Sequence, residues 1–243
     1  ISFAEIAAKA AKLDENGNKK YKTMFSKETY IARREQLRKD VKHGLIIIQG
    51  NNEASFNYPS NTYRFRQDST FLYFFGLQRE DLIGVLDCDS GEDWIYANDY
   101  DLDDIIWMGN LPSVKELAAS VGVANSAPKA ALTDVVNKAI GAGRKVHYLP
   151  PYRMKNMMEL SNLLGINPTH VNRYASLELI HACVKQRSIK SAEEIAEIEK
   201  AIGTAYEMHT TAMKMAMPGR YEYELAGAME GIALSHGGPV SFP

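Results

Sequence analysis

The densest group of potential metal ligands in the sequence is a run of four aspartates, Asp99, Asp101, Asp103 and Asp104. The spacing begins like that of a calcium-binding loop, but Asp104 stands where such a loop needs a glycine, and no glutamate occupies the twelfth position. The sequence also lacks the H-E-x-x-H, C-x-x-C, P-loop and G-x-G-x-x-G motifs. We therefore interpret the acidic run as a solvated loop and find no convincing catalytic constellation in the chain.

Two arginines and a glutamine form the second group that invites a chemical role. Arg64, Arg66 and Gln67 precede residues 71–75, four of which are aromatic. The fixed donor geometry of arginine and amide side chains suits the satisfaction of loop carbonyls, and this structural role is the favoured interpretation. The alternative is that Arg66 and Gln67 position a peptide or a neighbouring subunit.

Three ring side chains stand at positions that suit either packing or recognition. Packing is the favoured interpretation of Trp107, although an indole at the edge of a loop also suits a wall for a proline ring or an interface. His209 occurs at helical spacing among apolar residues and is interpreted as a core histidine bonded to a backbone carbonyl. His236 is interpreted as an exposed cation at a helix C-terminus, with a substrate contact as the alternative.

The charge balance and the cysteines bear on partners and location. The chain has 28 basic and 30 acidic residues and a formal net charge of −2, which gives no reason to expect nucleic acid or an anionic membrane as a partner. No run approaches the roughly 18 apolar residues of a membrane helix. Cys88 and Cys183 are interpreted as buried thiols rather than a disulfide, which favours a reducing, cytoplasmic location.

Helical and strand patterns surround these residues and predict a mixed α/β fold. Ser26 is expected to cap a helix that runs toward Gly44, and residues 45–48 form an aliphatic run typical of a buried strand. Further strands are predicted at 71–75, 82–86, 94–97 and 145–149, with antiparallel pairing among the first three. Further helices are predicted at 114–121, 132–140, 154–164 and 176–185.

From Ser191 onward the pattern becomes one of long helices. Ser191 and Glu194 form a capping box, and apolar residues then recur at helical spacing as far as Ala216, which predicts one buried stripe. Pro218 ends this helix, and a second helix is predicted at 221–235. Because little chain follows to cover these faces, we expect the second domain to be truncated. The predicted divisions are 1–23, an extension or linker; 24–188, an N-terminal domain; and 189–243, an incomplete domain.

Several motifs occur in an order that resembles the aminopeptidase P and creatinase family. The run Arg64-Phe65-Arg66-Gln67-Asp68-Ser69-x-Phe71-x-Tyr73-Phe74-x-Gly76 is similar to the signature of that family's N-terminal domain, and Trp107-x-Gly109 is similar to a following element. Ile189-Lys190-Ser191-x-Glu193-Glu194-Ile195 resembles the entry into the catalytic pita-bread domain. The match continues through Met208-His209-Thr210-x-Ala212-Met213, Pro218-Gly219 and Glu222-Tyr223-x-Leu225. The resemblance covers about residues 26–243.

The resemblance implies an N-terminal domain with an RNase H-like mixed sheet of the creatinase type, followed by the first helices of a pita-bread domain. It also implies an enzyme that removes an N-terminal residue preceding proline. In the full-length enzyme, two divalent metal ions, expected to be manganese, would be held by two Asp, one His and two Glu beyond the family position matched by Pro243. No metal ligand is therefore assigned to this chain, which alone is expected to be inactive.

The same resemblance supplies candidates for a substrate pocket or an interface. Trp107 matches a tryptophan that, in oligomeric relatives, reaches into a neighbouring subunit's substrate pocket. Some relatives have an acidic residue near Ser60 and Asn61 that contacts the amino end of the substrate; a neutral side chain there can accept a hydrogen bond from an ammonium without charge assistance. The candidates are Trp107, Asn61, Arg66 and His236. We expect a homo-oligomer, a dimer or tetramer, that acts on proline-containing peptides. From the exposed helix faces after Ser191, we expect the isolated chain to self-associate or to swap those helices.

Two other functions stay open. One is a non-catalytic peptide- or protein-binding module of the pita-bread type, and the other is a prolidase- or creatinase-like hydrolase on the same scaffold. The R-x-R-Q run followed by Trp107 favours aminopeptidase P. The near-neutral charge disfavours a histone partner, for which an acidic surface would be expected.

Overall fold

The computed structural model describes residues 23–240, which fall into two compact units, one ending at Arg187 and the other beginning at Ser188. The predicted extension at 1–23 lies, apart from Thr23, outside the described residues. The strands are β1 (Leu45–Gln49), β2 (Ser55–Tyr58), β3 (Asn61–Thr62), β4 (Ile83–Asp87), β5 (Asp93–Tyr96), β6 (Asn125–Ala127) and β7 (Val146–Tyr148). The helices are α1 (Lys27–Val41), α2 (Ser69–Phe75), α3 (Leu102–Met108), α4 (Val114–Ser120), α5 (Ala131–Gly141), α6 (Met154–Leu164), a 3-10 helix (Pro168–Tyr174), α7 (Leu177–Ser188), α8 (Ala192–Met215) and α9 (Glu222–Ser235).

The first unit is built on a five-stranded sheet with the order β6-β5-β4-β1-β7. β1 pairs with β7, and β5 with β6, in parallel, whereas β4 is antiparallel to β1 and β5. Four strands therefore run the same way. The carboxyl-terminal ends of these four strands lie together, where β4 begins. We call this end of the sheet, which lies across the strand ends and not along an outer strand, the carboxyl edge. The opposite side, where β4 ends, is the amino edge.

Helices cover both faces of this sheet. Ile46 and Ile48 of β1 belong to one core, together with residues of α1, α2, α4 and α7. Leu45 and Ile47 belong to a second core with residues of α5 and α6, because successive residues of a strand point to opposite faces. Burial on both faces explains why β1 is a continuous aliphatic run. The expected mixed α/β fold is confirmed.

Residues 71–75, which were predicted as a strand, belong to helix α2 instead. The Asp68 carboxylate caps this helix by accepting hydrogen bonds from the backbone N of Thr70 and Phe71, both at 2.8 Å. Gly76 ends it in the left-handed conformation, with a φ of 66°. Positions 71, 74 and 75 are fully buried and lie on one side of the helix. A strand would have divided these rings between two faces.

The second unit consists mainly of α8 and α9, which contact each other. The predicted capping box is present: Ser191 Oγ accepts from the backbone N of Glu194 at 3.2 Å, and the Glu194 carboxylate accepts from that of Ser191 at 2.9 Å. Within the described residues, however, no side chain of α8 is buried, and His209 is exposed. The buried stripe and the core histidine were therefore wrong predictions, because one neighbouring helix covers only part of such a stripe.

Across residues 23–240, no helix combines the length and the apolar character that crossing a membrane requires.

Candidate functional site

Buried polar side chains are concentrated at the carboxyl edge. β1 is followed there by Asn51 and Asn52, the chain entering β4 contributes Arg79, and α6 contributes Asn156. These four side chains and that of Gln67 are all buried. Because buried polar groups need hydrogen-bond partners inside the protein, this network holds the segments of chain that leave the edge.

Gln67 lies at the centre of the network and uses both ends of its amide. Its Oε1 accepts from the backbone N of Asn51 at 2.6 Å and of Asp68 at 2.9 Å. Its Nε2 donates to the carbonyls of Arg79 at 2.6 Å and Leu77 at 3.3 Å. Gln67 therefore satisfies loop carbonyls, as predicted, and joins the end of β1 to the approach to β4.

The first segment that leaves the edge is the hairpin of β2 and β3, between Asn52 and Gln67. Asn61 stands at its turn, exposed, and donates from Nδ2 to Asn57 Oδ1 at 2.7 Å. Arg66, at the returning end, is also exposed. The hairpin further exposes three aromatic residues, Phe56, Tyr58 and Tyr63. The candidates Asn61 and Arg66 are thus both exposed on a hairpin that also exposes aromatic residues.

The second segment, which we call the arm, comprises residues 99–113 between β5 and α4 and contains α3. Asp101 and Asp104 form a capping box at the start of α3. Asp101 Oδ1 accepts from the backbone N of Asp104 at 2.9 Å, and Asp104 Oδ2 accepts from that of Asp101 at 3.1 Å. Asp99 Oδ1 accepts from the backbone N of Val114 at 2.6 Å and closes the base of the arm. The acidic run, predicted as a solvated loop, therefore begins a helix, because its carboxylates satisfy backbone N–H groups at helix starts.

Trp107 lies on the arm, and its side chain is 88% exposed. No residue of α3 is buried against any part of the chain that the structure describes, so the interpretation of Trp107 as a packing residue is wrong. Four neighbours in the same helix, Leu102, Ile105, Ile106 and Met108, are exposed as well. Contiguous exposed apolar side chains mark a surface for binding or assembly.

His236 belongs to the second unit, where it follows α9. Its Nδ1 donates to the carbonyl of Ile232 at 2.9 Å, and its Nε2 lies 3.5 Å from the Glu207 carboxylate. These contacts agree with its interpretation as a group at a helix C-terminus. Asn61, Arg66 and Trp107, in contrast, lie on segments that leave a single edge of the first unit.

A cleft of about 350 Å³ lies between the start of α2, the loop after β7, and α7. Its lining includes Cys183, and burial raises the pKa of this thiol to about 12. The thiolate that a nucleophile requires is therefore scarce at neutral pH. Within residues 23–240, no group of three or more His, Cys, Asp or Glu side chains could hold a metal ion, so the described residues do not fit a metal centre.

Sequence reasoning missed Asn51, Asn52, Arg79 and Asn156. A signal existed for the two asparagines that follow β1, because the carboxyl ends of strands are where α/β sheets place their sites. No local signal existed for Asn156, whose Nδ2 donates to the carbonyl of Gly50, 106 positions earlier in the chain.

Comparison with known proteins connects this geometry to a family. Residues 30–148 match the family described as aminopeptidase P, N-terminal domain. The Xaa-Pro dipeptidases of Pongo abelii and Homo sapiens are each 25% identical in an alignment of length 213 that covers 84% of this chain and 41% of the relative. A protein of Sordaria macrospora named "Probable Xaa-Pro aminopeptidase PEPP" is 24% identical over 82% of this chain and 33% of its own length.

Solved structures of Escherichia coli aminopeptidase P share the fold. The zinc-substituted enzyme in complex with product superposes with a TM-score of 0.72 at 21% identity, over 88% of this chain and 50% of that chain. The enzyme with the inhibitor Pro-Leu gives the same TM-score at 22% identity. This chain thus spans half or less of the length of these relatives. Residues 30–148 thus match an aminopeptidase P N-terminal domain, and the chain as a whole is similar to Xaa-Pro peptidases.

Proposed function

We propose that this chain is part of a metal-dependent Xaa-Pro aminopeptidase that removes the N-terminal residue preceding proline. The exposed indole of Trp107, on an arm with no buried residue in α3, is the observation that carries this proposal. The relatives named Xaa-Pro peptidases supply the substrate class. Residues 24–188 would form the N-terminal domain, and 189–243 the start of a pita-bread domain.

In this proposal, the arm and the hairpin serve substrate access and assembly. A flat indole packs well on a proline ring, and an exposed apolar helix becomes stable when a second subunit covers it. Asn61 offers an amide oxygen to the ammonium of a substrate, without the charge assistance of a carboxylate. We therefore propose a homo-oligomer, a dimer or a tetramer, in which Trp107 and Asn61 reach the peptide bound by another subunit.

The chemical step belongs to residues outside the described range. We propose that the complete enzyme uses two divalent metal ions, manganese in the first instance, which would supply an activated water. Because the described residues do not fit such a centre, we assign no step of the reaction to them. Cys88 and Cys183 are free, and this supports a reducing, cytoplasmic location for the enzyme.

The test compares this chain with a version extended at its C-terminus to the length of its relatives. Both are assayed with manganese on an Xaa-Pro dipeptide and on a tripeptide with proline in second place. We expect only the extended form to release the N-terminal residue. If neither form hydrolyses a peptide or binds the metal, the proposal fails and a non-catalytic binding module replaces it.

The second candidate is an Xaa-Pro dipeptidase, because the relatives carry both names. The two substrates separate the candidates. An aminopeptidase cleaves the dipeptide and the tripeptide, whereas a dipeptidase cleaves the dipeptide alone.

A further inference from the structure

Arg79 is a buried cation whose hydrogen bonds are incomplete. The residue is 5% exposed, yet its Nε and Nη1 have no hydrogen-bond partner in the described part of the chain. Leaving buried donors unpaired costs free energy. An apolar side chain of similar volume would serve the packing of this position as well or better. Apolar packing alone therefore does not explain a guanidinium at this position.

The contacts that the Arg79 side chain does make lead to the base of the arm. Its Nη2 donates to the backbone carbonyl of Asn98. Its guanidinium carbon lies 4.0 Å from the centroid of the Tyr100 ring, a distance typical of a cation–π contact. Asn98 and Tyr100 stand on either side of Asp99, where the arm begins. The Tyr100 hydroxyl in turn donates to Glu80 Oε1 at 2.7 Å.

We propose that Arg79 is a positioning residue that fixes the base of the arm, and with it the location of Trp107, through the Asn98 carbonyl and the Tyr100 ring. The backbone carbonyl of Arg79 is held by Gln67, so one residue ties the arm to the base of the hairpin. We call the contacts of Arg79 with the Asn98 carbonyl and the Tyr100 ring the clamp; it can be tested on this chain without the rest of the enzyme. Its consequence for peptide binding rests on the proposed function.

The experiment is amide hydrogen exchange by mass spectrometry on the 243-residue chain. We expect Arg79→Met to speed amide exchange in the arm about tenfold, because opening of the arm then no longer costs the free energy of breaking the Arg79 contacts. Exchange in β1 should not change. The matched control is Arg144→Met, which removes an arginine from the amino edge and should leave the arm unchanged. Arm exchange equal to that of the wild type in Arg79→Met would overturn the proposal.

Substitutions of Tyr100 test the ring contact without removing the buried charge. Tyr100→Leu should speed exchange in the arm, whereas Tyr100→Phe, which keeps the ring, should not. Equal acceleration by both variants, or by neither, would contradict the clamp.

Kinetics of the extended form separate this inference from the proposed function. If the extended form hydrolyses Xaa-Pro peptides, Arg79→Met should raise KM about tenfold with little change in kcat, as expected for lost positioning of a binding group. Faster arm exchange without any peptidase activity in the extended form would sustain the clamp and refute the proposed function. Activity with an unchanged KM would overturn the role of the clamp in substrate binding.

Discussion

The two edges of the sheet in the first unit are held by different chemistry. At the amino edge, Arg144 bridges Asp87 and Asp89 at 2.5 and 2.6 Å, and Asp93 binds Arg34. At the carboxyl edge the centre is a neutral amide, Gln67, bonded to backbone groups. Both edges thus carry ion pairs, because Lys129 binds Asp81 and Glu159 at the carboxyl edge. The carboxyl edge is in addition fixed from inside by a buried neutral amide, and it exposes an apolar arm.

This difference indicates where recognition belongs. Ion pairs near the surface, such as that of Arg144 with Asp89, contribute little free energy and are screened by salt, so they tolerate substitution. A buried amide network loses several bonds at once when one member is removed, and it therefore specifies a single geometry. A rigid base with exposed apolar side chains is the arrangement that a binding surface requires.

The largest effect is expected from Gln67→Leu, which breaks the carboxyl edge. The substitution leaves buried backbone groups of Asn51, Asp68 and Arg79 without their partner, so the free energy of unfolding should fall by about 4 kcal/mol. Urea denaturation measures the change. Gln78→Leu, at an exposed position, is the control, and a loss no larger than that of the control would contradict the central role of Gln67.

A somewhat smaller loss is expected from Asp93→Asn at the amino edge. The Arg34 side chain is fully buried and donates to Asp93 Oδ2 at 2.8 Å, and burial is the main reason that the pKa of Arg34 is lowered. Removing the counter-charge should cost about 3 kcal/mol. Asp89→Asn, at a half-exposed ion pair, should cost less than about 1 kcal/mol. Equal losses of stability in the two variants would show that burial does not determine how much each ion pair contributes.

The stability of the amino edge should also depend on pH. His147 at the amino edge is buried, with Ser176 Oγ 2.6 Å from Nδ1 and the His43 carbonyl 3.0 Å from Nε2; Lys145 and Glu178 are the charged groups beside it. Burial lowers the pKa of His147 below 6.5, so the unfolded chain binds the proton more readily. Stability should be complete above pH 6.5 and fall as the pH decreases.

His147→Gln tests this assignment. The difference between the urea midpoints at pH 8 and pH 5 should shrink in the variant, because the titrating group is gone. The pKa of Glu178 is lowered to about 2, chiefly by its hydrogen bond to Lys145, so the stability linked to that carboxylate is lost only below about pH 4.5. An unchanged difference in His147→Gln would exclude His147 as the source.

The smallest effect on stability is expected from Trp107→Ala. Because the side chain is 88% exposed, the free energy of unfolding should change by less than about 0.5 kcal/mol. A clear loss by urea denaturation would show that the indole packs on the chain after all.

The sequence predicted most elements of the fold, and its failures have physical reasons. The aliphatic run of β1 and the capping box at Ser191 carry local signals, and both are present. Residues 71–75 were wrongly predicted as a strand because aromatic residues favour strands. The side-chain cap from Asp68 and the burial of one side of the helix stabilise α2 instead. The strand propensity of a segment therefore determines its structure only when tertiary packing agrees with it.

The candidate site was predictable only in part. The Gln67 contacts with loop carbonyls followed from side-chain chemistry. The exposure of Trp107 did not, because nothing in the local sequence shows that α3 stands apart from the core. The network of Asn51 and Asn156 joins residues more than 100 positions apart and required the fold.

We propose that the arm presents Trp107 to a proline-containing peptide, and kcat/KM for an Xaa-Pro tripeptide measures the effect of this contact. The extended enzyme is compared with its Trp107→Ala variant and with Tyr174→Ala, which removes an exposed aromatic residue outside the arm. We predict a loss of about tenfold or more for Trp107→Ala, mainly through KM, and no change for the control. Equal kcat/KM in Trp107→Ala and the wild type would refute this role of Trp107.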